Sequence, residues 1–273
     1  MSCLTRPIHV AVISGFIAGM AFMSPSAANE IHRIEAGLLT YSYEAIPILD
    51  PRTQELMFNS GKITVIRQTG AHRETIYQEH GILSPGCDDQ PALSKLRIEP
   101  STGIVGEDVV LLCGSSGGRQ QTLKLFREAP QGLITATLNF YNSFPKLRFD
   151  ETTHSHVAMV ARRDLIPGQV GPIYFPFLYR LHIDVSTMAF APVFGGPFER
   201  HYVEYYRALL TSSGQKYNMG PAVASLMATQ NHALICEEIS KLERLDLSHA
   251  AMLEYARLAV TLGYPAFDFN RCE

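Results

Sequence analysis

Apolar and polar residues alternate in short runs from Ile31 to about Val185, and the period lengthens after Gly195-Gly196-Pro197. Gly61-Lys62-Ile63-Thr64-Val65-Ile66-Arg67 alternates strictly, Thr69-Gly70-Ala71-His72 reads as a turn, and Glu74 to Gln78 alternates again. Two alternating runs around a glycine turn predict a β-hairpin. The same pattern predicts strands at 39–45, 93–98, 108–113, 122–127, 157–162 and 177–183. β-Branched and aromatic residues fill these runs, and Gly, Pro, Asp and Asn separate them. Such spacing favours an antiparallel β body over alternating β and α units.

Beyond the glycine break, Phe198, Tyr202, Tyr205, Tyr206 and Leu209 recur at helical spacing. Pro221 suits the first turn of a second helix, running past Ala233 and Ile239 towards Leu242. Ser248 is a good N-cap for a third, with Met252, Tyr255, Ala256 and Ala259 on one side and Gly263 just past its end. The expectation is a mainly β, antiparallel body over 29–195 and a helical region over 196–273, α+β overall.

Residues 1–28 stand apart. Arg6 precedes an apolar run from Ile8 to Met23, and Ser26 and Ala28 occupy the two positions a signal peptidase reads. A basic start, a short apolar stretch and a small-residue exit form a secretory signal, with cleavage expected after Ala28. Gly15 and Gly19 interrupt the run, which is shorter than the ~20 apolar residues that span a bilayer. Cleavage removes one Arg and no acid, so the net charge moves from −3 to about −4. A mildly acidic surface lacks the basic footprint that nucleic acid requires. No later segment predicts membrane insertion, and a soluble periplasmic or secreted protein is expected.

Cys87, Cys113, Cys236 and Cys272 remain after cleavage. An even count in an exported chain predicts two disulfides, with three possible pairings. Cys87–Cys113 and Cys236–Cys272 are favoured, because each then closes a loop within one region. Zinc is the competing reading, but C-x-x-C and paired Cys/His spacings are lacking.

Two stretches look like variants of one unit. The first runs from Leu96 to Cys113, followed by Gly114-Ser115-Ser116-Gly117-Gly118 and the run Thr122 to Phe126. The second runs from Leu147 to Val160, followed by a longer excursion and Phe177 to Leu181. Strand, polar loop, apolar strand, glycine loop and strand resembles the integrin-type FG-GAP propeller repeat, over about Leu93 to Ile183. That resemblance implies propeller-like units and an acidic, calcium-binding loop. Calcium takes six to eight oxygen ligands. The first loop offers only Glu99, Glu107 and Asp108, and the second Asp150 and Glu151. Loops that have become ordinary turns, in a partial propeller or an open sandwich, are the expectation.

Gly114-Ser115-Ser116-Gly117-Gly118 also satisfies G-x-S-x-G, directly after an apolar run. A nucleophile elbow needs a strand before the serine, a helix after it, and later Asp and His partners. Ser116 with Asp164 or Asp184 and His201 or His232 respects that order, but Gln121 to Phe126 alternates like a strand. A glycine-rich turn explains the same residues. His154 and His156 alternate as two metal ligands on a strand would, though a near third ligand is lacking. His182 and Asp184 read as a polar strand face. Tyr202, Tyr205 and Tyr206 pack a helix more readily than they form a binding surface. The stretch 167–176 most resembles a recognition loop, with Tyr174 and Phe175 as its binding aromatics.

No cofactor or metal is expected. The functional expectation is an exported protein that binds another protein, as an inhibitor or immunity-type module. A serine hydrolase using Ser116 and a structural envelope component are the alternatives.

Overall fold

In a computed structural model the described residues are 31–54, 56–83, 93–96, 108–113, 120–141, 147–164, 173–211, 215–243 and 247–272. Residues 1–30, which include the expected signal segment, and Cys87, Ser116 and residues 165–172 lie outside them. The architecture is mainly antiparallel β with four C-terminal helices, in two sheets and without a closed barrel.

The first sheet holds β1 (Ile31–Ala36), β2 (Leu39–Leu49), β3 (Leu56–Thr69) and β4 (His72–Leu83) in chain order. The expected hairpin joins β3 to β4, with Thr69 opposite His72 and Gly70 at φ 59°. Tyr41, Tyr43, Ile63 and Val65 are fully buried. Their polar neighbours Ser42, Glu44 and Thr64 lie on the opposite face of the pleat.

The second sheet contains β5 (Leu93–Leu96), β6 (Asp108–Cys113), β7 (Gln120–Ala129), β8 (Gly132–Tyr141), β9 (Arg148–Asp150), β10 (Ser155–Asp164), β11 (Ile173–Ile183) and β12 (Met188–Pro192). Its order is β12-β11-β10-β8-β7-β6-β5, with β9 beside β10. β10 and β11 share eight register pairs and β7 and β8 ten, whereas among the described residues β8 and β10 pair at Tyr141 and Ala161 alone. β12 also lies against β8, so the sheet curls back on itself beside this junction.

Helices α1 (Glu199–Thr211), α2 (Gln215–Thr229), α3 (His232–Glu243) and α4 (His249–Thr261) follow. Residues 221–229 of α2 are all buried. A helix apolar all round belongs inside its layer, and Ala222, Ala224 and Ala228 let its neighbours approach. Two helices replace the single one expected from Pro221 to Leu242. Gln230 takes φ 55° and Asn231 Oδ1 accepts from the Leu234 amide at 3.2 Å, ending one helix and capping the next. Pro221 lies within α2 and not at its first turn. Ser248 caps α4 as expected, its side chain accepting from the Ala251 amide.

Three layers result. Tyr41, Ile63 and Val65 pack with Val109, Leu111 and Phe126 between the two sheets. Leu123, Leu125, Leu138 and Phe140 face the other way, into the core shared with the helices. Cys236 and Cys272 form a disulfide with Cα atoms 5.0 Å apart, tying the C-terminal segment to α3. Cys87–Cys113 falls outside the described residues. Among those residues no helix is long and apolar enough to cross a membrane.

Candidate functional site: a cleft where the second sheet parts

Strand β8 alternates cleanly. Ile134, Ala136, Leu138 and Phe140 are buried, which turns Thr137, Asn139 and Tyr141 outward. On the far side of the junction, Phe190 of β12 pairs with Leu181 of β11, and Tyr179 stands two residues along on the same face. Between these two rows lies a cleft of about 400 Å³, with Arg162 of β10 in its wall. Among the described residues the β8–β10 ladder does not continue past Tyr141 and Ala161 toward Asn139, where a ladder would hold the strands about 4.8 Å apart.

Arg162 is the charged residue of this lining. Its guanidinium carbon sits 5.0 Å from the Phe177 ring centroid, and Nη1 donates to the Leu262 carbonyl at 3.2 Å. Leu262 is the C-cap of α4, so the cation faces the negative end of a helix dipole. The ring and the carbonyl hold the guanidinium at two points. Among the described residues no carboxylate lies within ion-pair distance of it. A cation held in place beside Tyr141, Tyr179 and Phe190 can recognise an anionic group next to apolar surface.

A second polar cluster has its own counter-charges. The buried Asp150 carboxylate accepts from His201 Nε2 at 2.8 Å, from the Thr152 amide at 3.0 Å and from Arg200. Burial works to raise the Asp150 pKa. The His201 and Thr152 hydrogen bonds and the Arg200 charge outweigh it and hold the carboxyl below its ordinary range. Arg148 lies 2.6 Å from His201 Nδ1. A guanidinium only donates, so the imidazole proton sits on Nε2, facing Asp150. This cluster clamps the β9–β10 hairpin to α1.

The residues singled out from sequence do not gather at one place. β6 and β7 flank the G-x-S-x-G segment and pair with each other, Cys113 opposite Thr122. The described element next after Ser116 is strand β7, from Gln120, where an elbow has a helix. Among its possible partners, His201 is engaged at both ring nitrogens, His232 is exposed against Phe267, and Asp184 is exposed. His154 lies in a turn at φ 44°, and it and His156 both pack on the Phe149 ring. His182 is exposed. Tyr202 is fully buried, accepting from the Leu178 amide and donating to the Val193 carbonyl. Tyr206 is buried and donates to Glu238.

Tyr174 and Phe175 open β11 and do not sit on a loop. Tyr174 is half-buried. Phe175 is fully buried, packed against Tyr264 6.4 Å away, so its ring belongs to the core. Asp108, from the first calcium-type loop, is buried in a two-pronged ion pair with Arg127 at 2.6 and 2.7 Å. Among the described residues no group of three or more His, Cys, Asp or Glu could hold a metal ion.

The cleft residues were not singled out from sequence. The alternation of residues 132–141 was available as a signal for β8. Compared with known proteins, the chain matches no family model, no curated protein and no solved structure.

Proposed function

We propose that this protein is exported and works by binding a protein partner, a segment of which enters the cleft between β8 and β12. The carrying observation is Arg162, held by Phe177 and Leu262 and lacking a carboxylate neighbour among the described residues. A half-buried cation is costly unless something offsets its lost hydration, and a partner's anion does so on binding. Tyr141, Tyr179 and Phe190 supply the aromatic area in which binding energy typically concentrates. Export rests on the Arg6, apolar-run and Ala28 series, with the Cys236–Cys272 disulfide in agreement. An inhibitor or immunity-type role is consistent with such a module.

The test uses three baits against extract from the organism that makes the protein: wild type, Asn139→Asp, and Gln78→Asp on the outer sheet. The first variant puts a negative charge on the cleft lining that Arg162 shares, and the second puts one at an exposed position of β4 that does not line it. A discrete protein retained by wild type and Gln78→Asp but lost with Asn139→Asp is the expected result. Equal retention by all three would contradict the cleft.

A further inference from the structure

Among the described residues the fully buried charges carry their counter-ions with them, while half-buried Arg180, whose Nε lacks a hydrogen-bond partner, does not. Asp108 pairs with Arg127, Asp150 with Arg200 and His201, and Glu79 with Lys124. Arg162 also departs from that pattern. One of its five N–H groups is bonded to Leu262, and its guanidinium carbon rests 5.0 Å from the Phe177 ring centroid. Holding the fork rigid before a ligand arrives removes part of the entropy cost of using it. The chemical group that best matches a planar guanidinium fork is a carboxylate, which it can grip with two parallel hydrogen bonds.

The surroundings narrow the ligand further. Tyr141, Tyr179 and Phe190 place aromatic surface beside the cation, while Asn139 and Thr137 offer an amide and a hydroxyl at the same opening. At about 400 Å³ the cleft is near the small end of ligand sites, with room for one or two residues. A ligand that fits carries a carboxylate, a large apolar group close to it, and a polar amide next in line. The last residue of a polypeptide presents all three together. An internal Asp or Glu does not, because its carboxylate is its side chain and the chain must leave in two directions. The protein's net charge of −3 gives no overall attraction for anions, so recognition is local.

The geometry points to the cleft as a receptor for the C-terminal residue of a partner chain, the α-carboxylate on Arg162 and an aromatic or large aliphatic side chain against Tyr141, Tyr179 and Phe190. This rests on the binding function proposed above and specifies what is bound.

The experiment titrates N-acetyl-Gly-Gly-Phe, as the free acid and as its C-terminal amide, into the exported protein and follows heat and backbone NMR shifts. The free acid should bind at least roughly ten-fold more tightly than the amide, the order expected for a charge-assisted pair. Shifts should centre on β8 and β10 to β12. Arg162→Lys keeps a cation over Phe177 but loses the fork, and should weaken the acid roughly ten-fold. Asn139→Asp adds a carboxylate to the lining that competes for Arg162, and should weaken the acid by a similar factor while affecting the amide less. Equal affinity of acid and amide would overturn the proposal, as would an acid affinity unchanged in Asn139→Asp. So would equally tight binding of N-acetyl-Phe-Asp-Gly-amide, whose only carboxylate is internal. If a protein is captured through the cleft but the free acid does not displace it, C-terminal recognition is refuted and partner binding stands. If the free acid binds through Arg162 but no protein is captured, carboxylate recognition stands and the protein partner is refuted.

Discussion

Gly61 shows how closely residue type is tied to packing in this fold. A Cβ placed there would lie 2.5 Å from the ring of Tyr43, which is itself fully buried and has nowhere to move. Gly61→Ala should therefore destabilise by about 1–3 kcal/mol, the usual range for overpacking, read as a lower urea midpoint. An unchanged midpoint would mean the two strands do not meet as described. Asp150 makes a different kind of prediction. Its carboxyl is held below the ordinary range in the folded state, so its stabilising effect is present above the unfolded-state pKa. That effect fades as pH falls through the folded-state value. Asp150→Asn should cost roughly 2–3 kcal/mol near neutrality, because charge-assisted hydrogen bonds are lost. The gap between wild type and variant should shrink below about pH 4. A gap constant from pH 7 to pH 3 would show that the carboxylate charge contributes nothing.

The elements were legible wherever a local pattern decided them. The β3–β4 hairpin, the strands around residues 108–113 and 122–127, and the Ser248-capped helix all follow from alternation, turn residues or a cap. Pro221 was misplaced because burial on all sides of α2 compensates a missing backbone hydrogen bond that would end an exposed helix. Phe175 is a buried strand residue where the sequence predicts a loop, because a short aromatic run looks the same in an exposed loop and in a strand covered by Tyr264, whose hydroxyl donates to the Pro176 carbonyl. The antiparallel β6–β7 pair bears on chemistry too. A fluorophosphonate probe should leave Ser116 unlabelled, and labelling lost in Ser116→Ala would reinstate the hydrolase alternative. The Cys236–Cys272 bond closes a separation of 36 residues. Cys236→Ser should cost roughly 4 kcal/mol by the chain-entropy estimate, measured as a drop in the denaturation midpoint matched by reducing the wild type.

At the scale of the whole molecule the decisive feature is long-range and left no local trace in sequence. The cleft lies where β8 and β10 share one register pair among the described residues and β12 lies against β8. Arg162, Tyr179 and Phe190 lie on three strands, and no spacing along the chain announces that they share a wall with Asn139 and Tyr141. The three-layer plan supports that geometry: the first sheet backs β5 to β7, and the helices back β10 and β11. Site-specific photo-crosslinking tests the central claim most directly, with a benzophenone amino acid at Asn139 or Phe190 and a control at Gln78, in the living host. The account predicts one discrete protein adduct from both cleft positions, absent from the control. Adducts from Gln78 but not from Asn139 or Phe190 would contradict it.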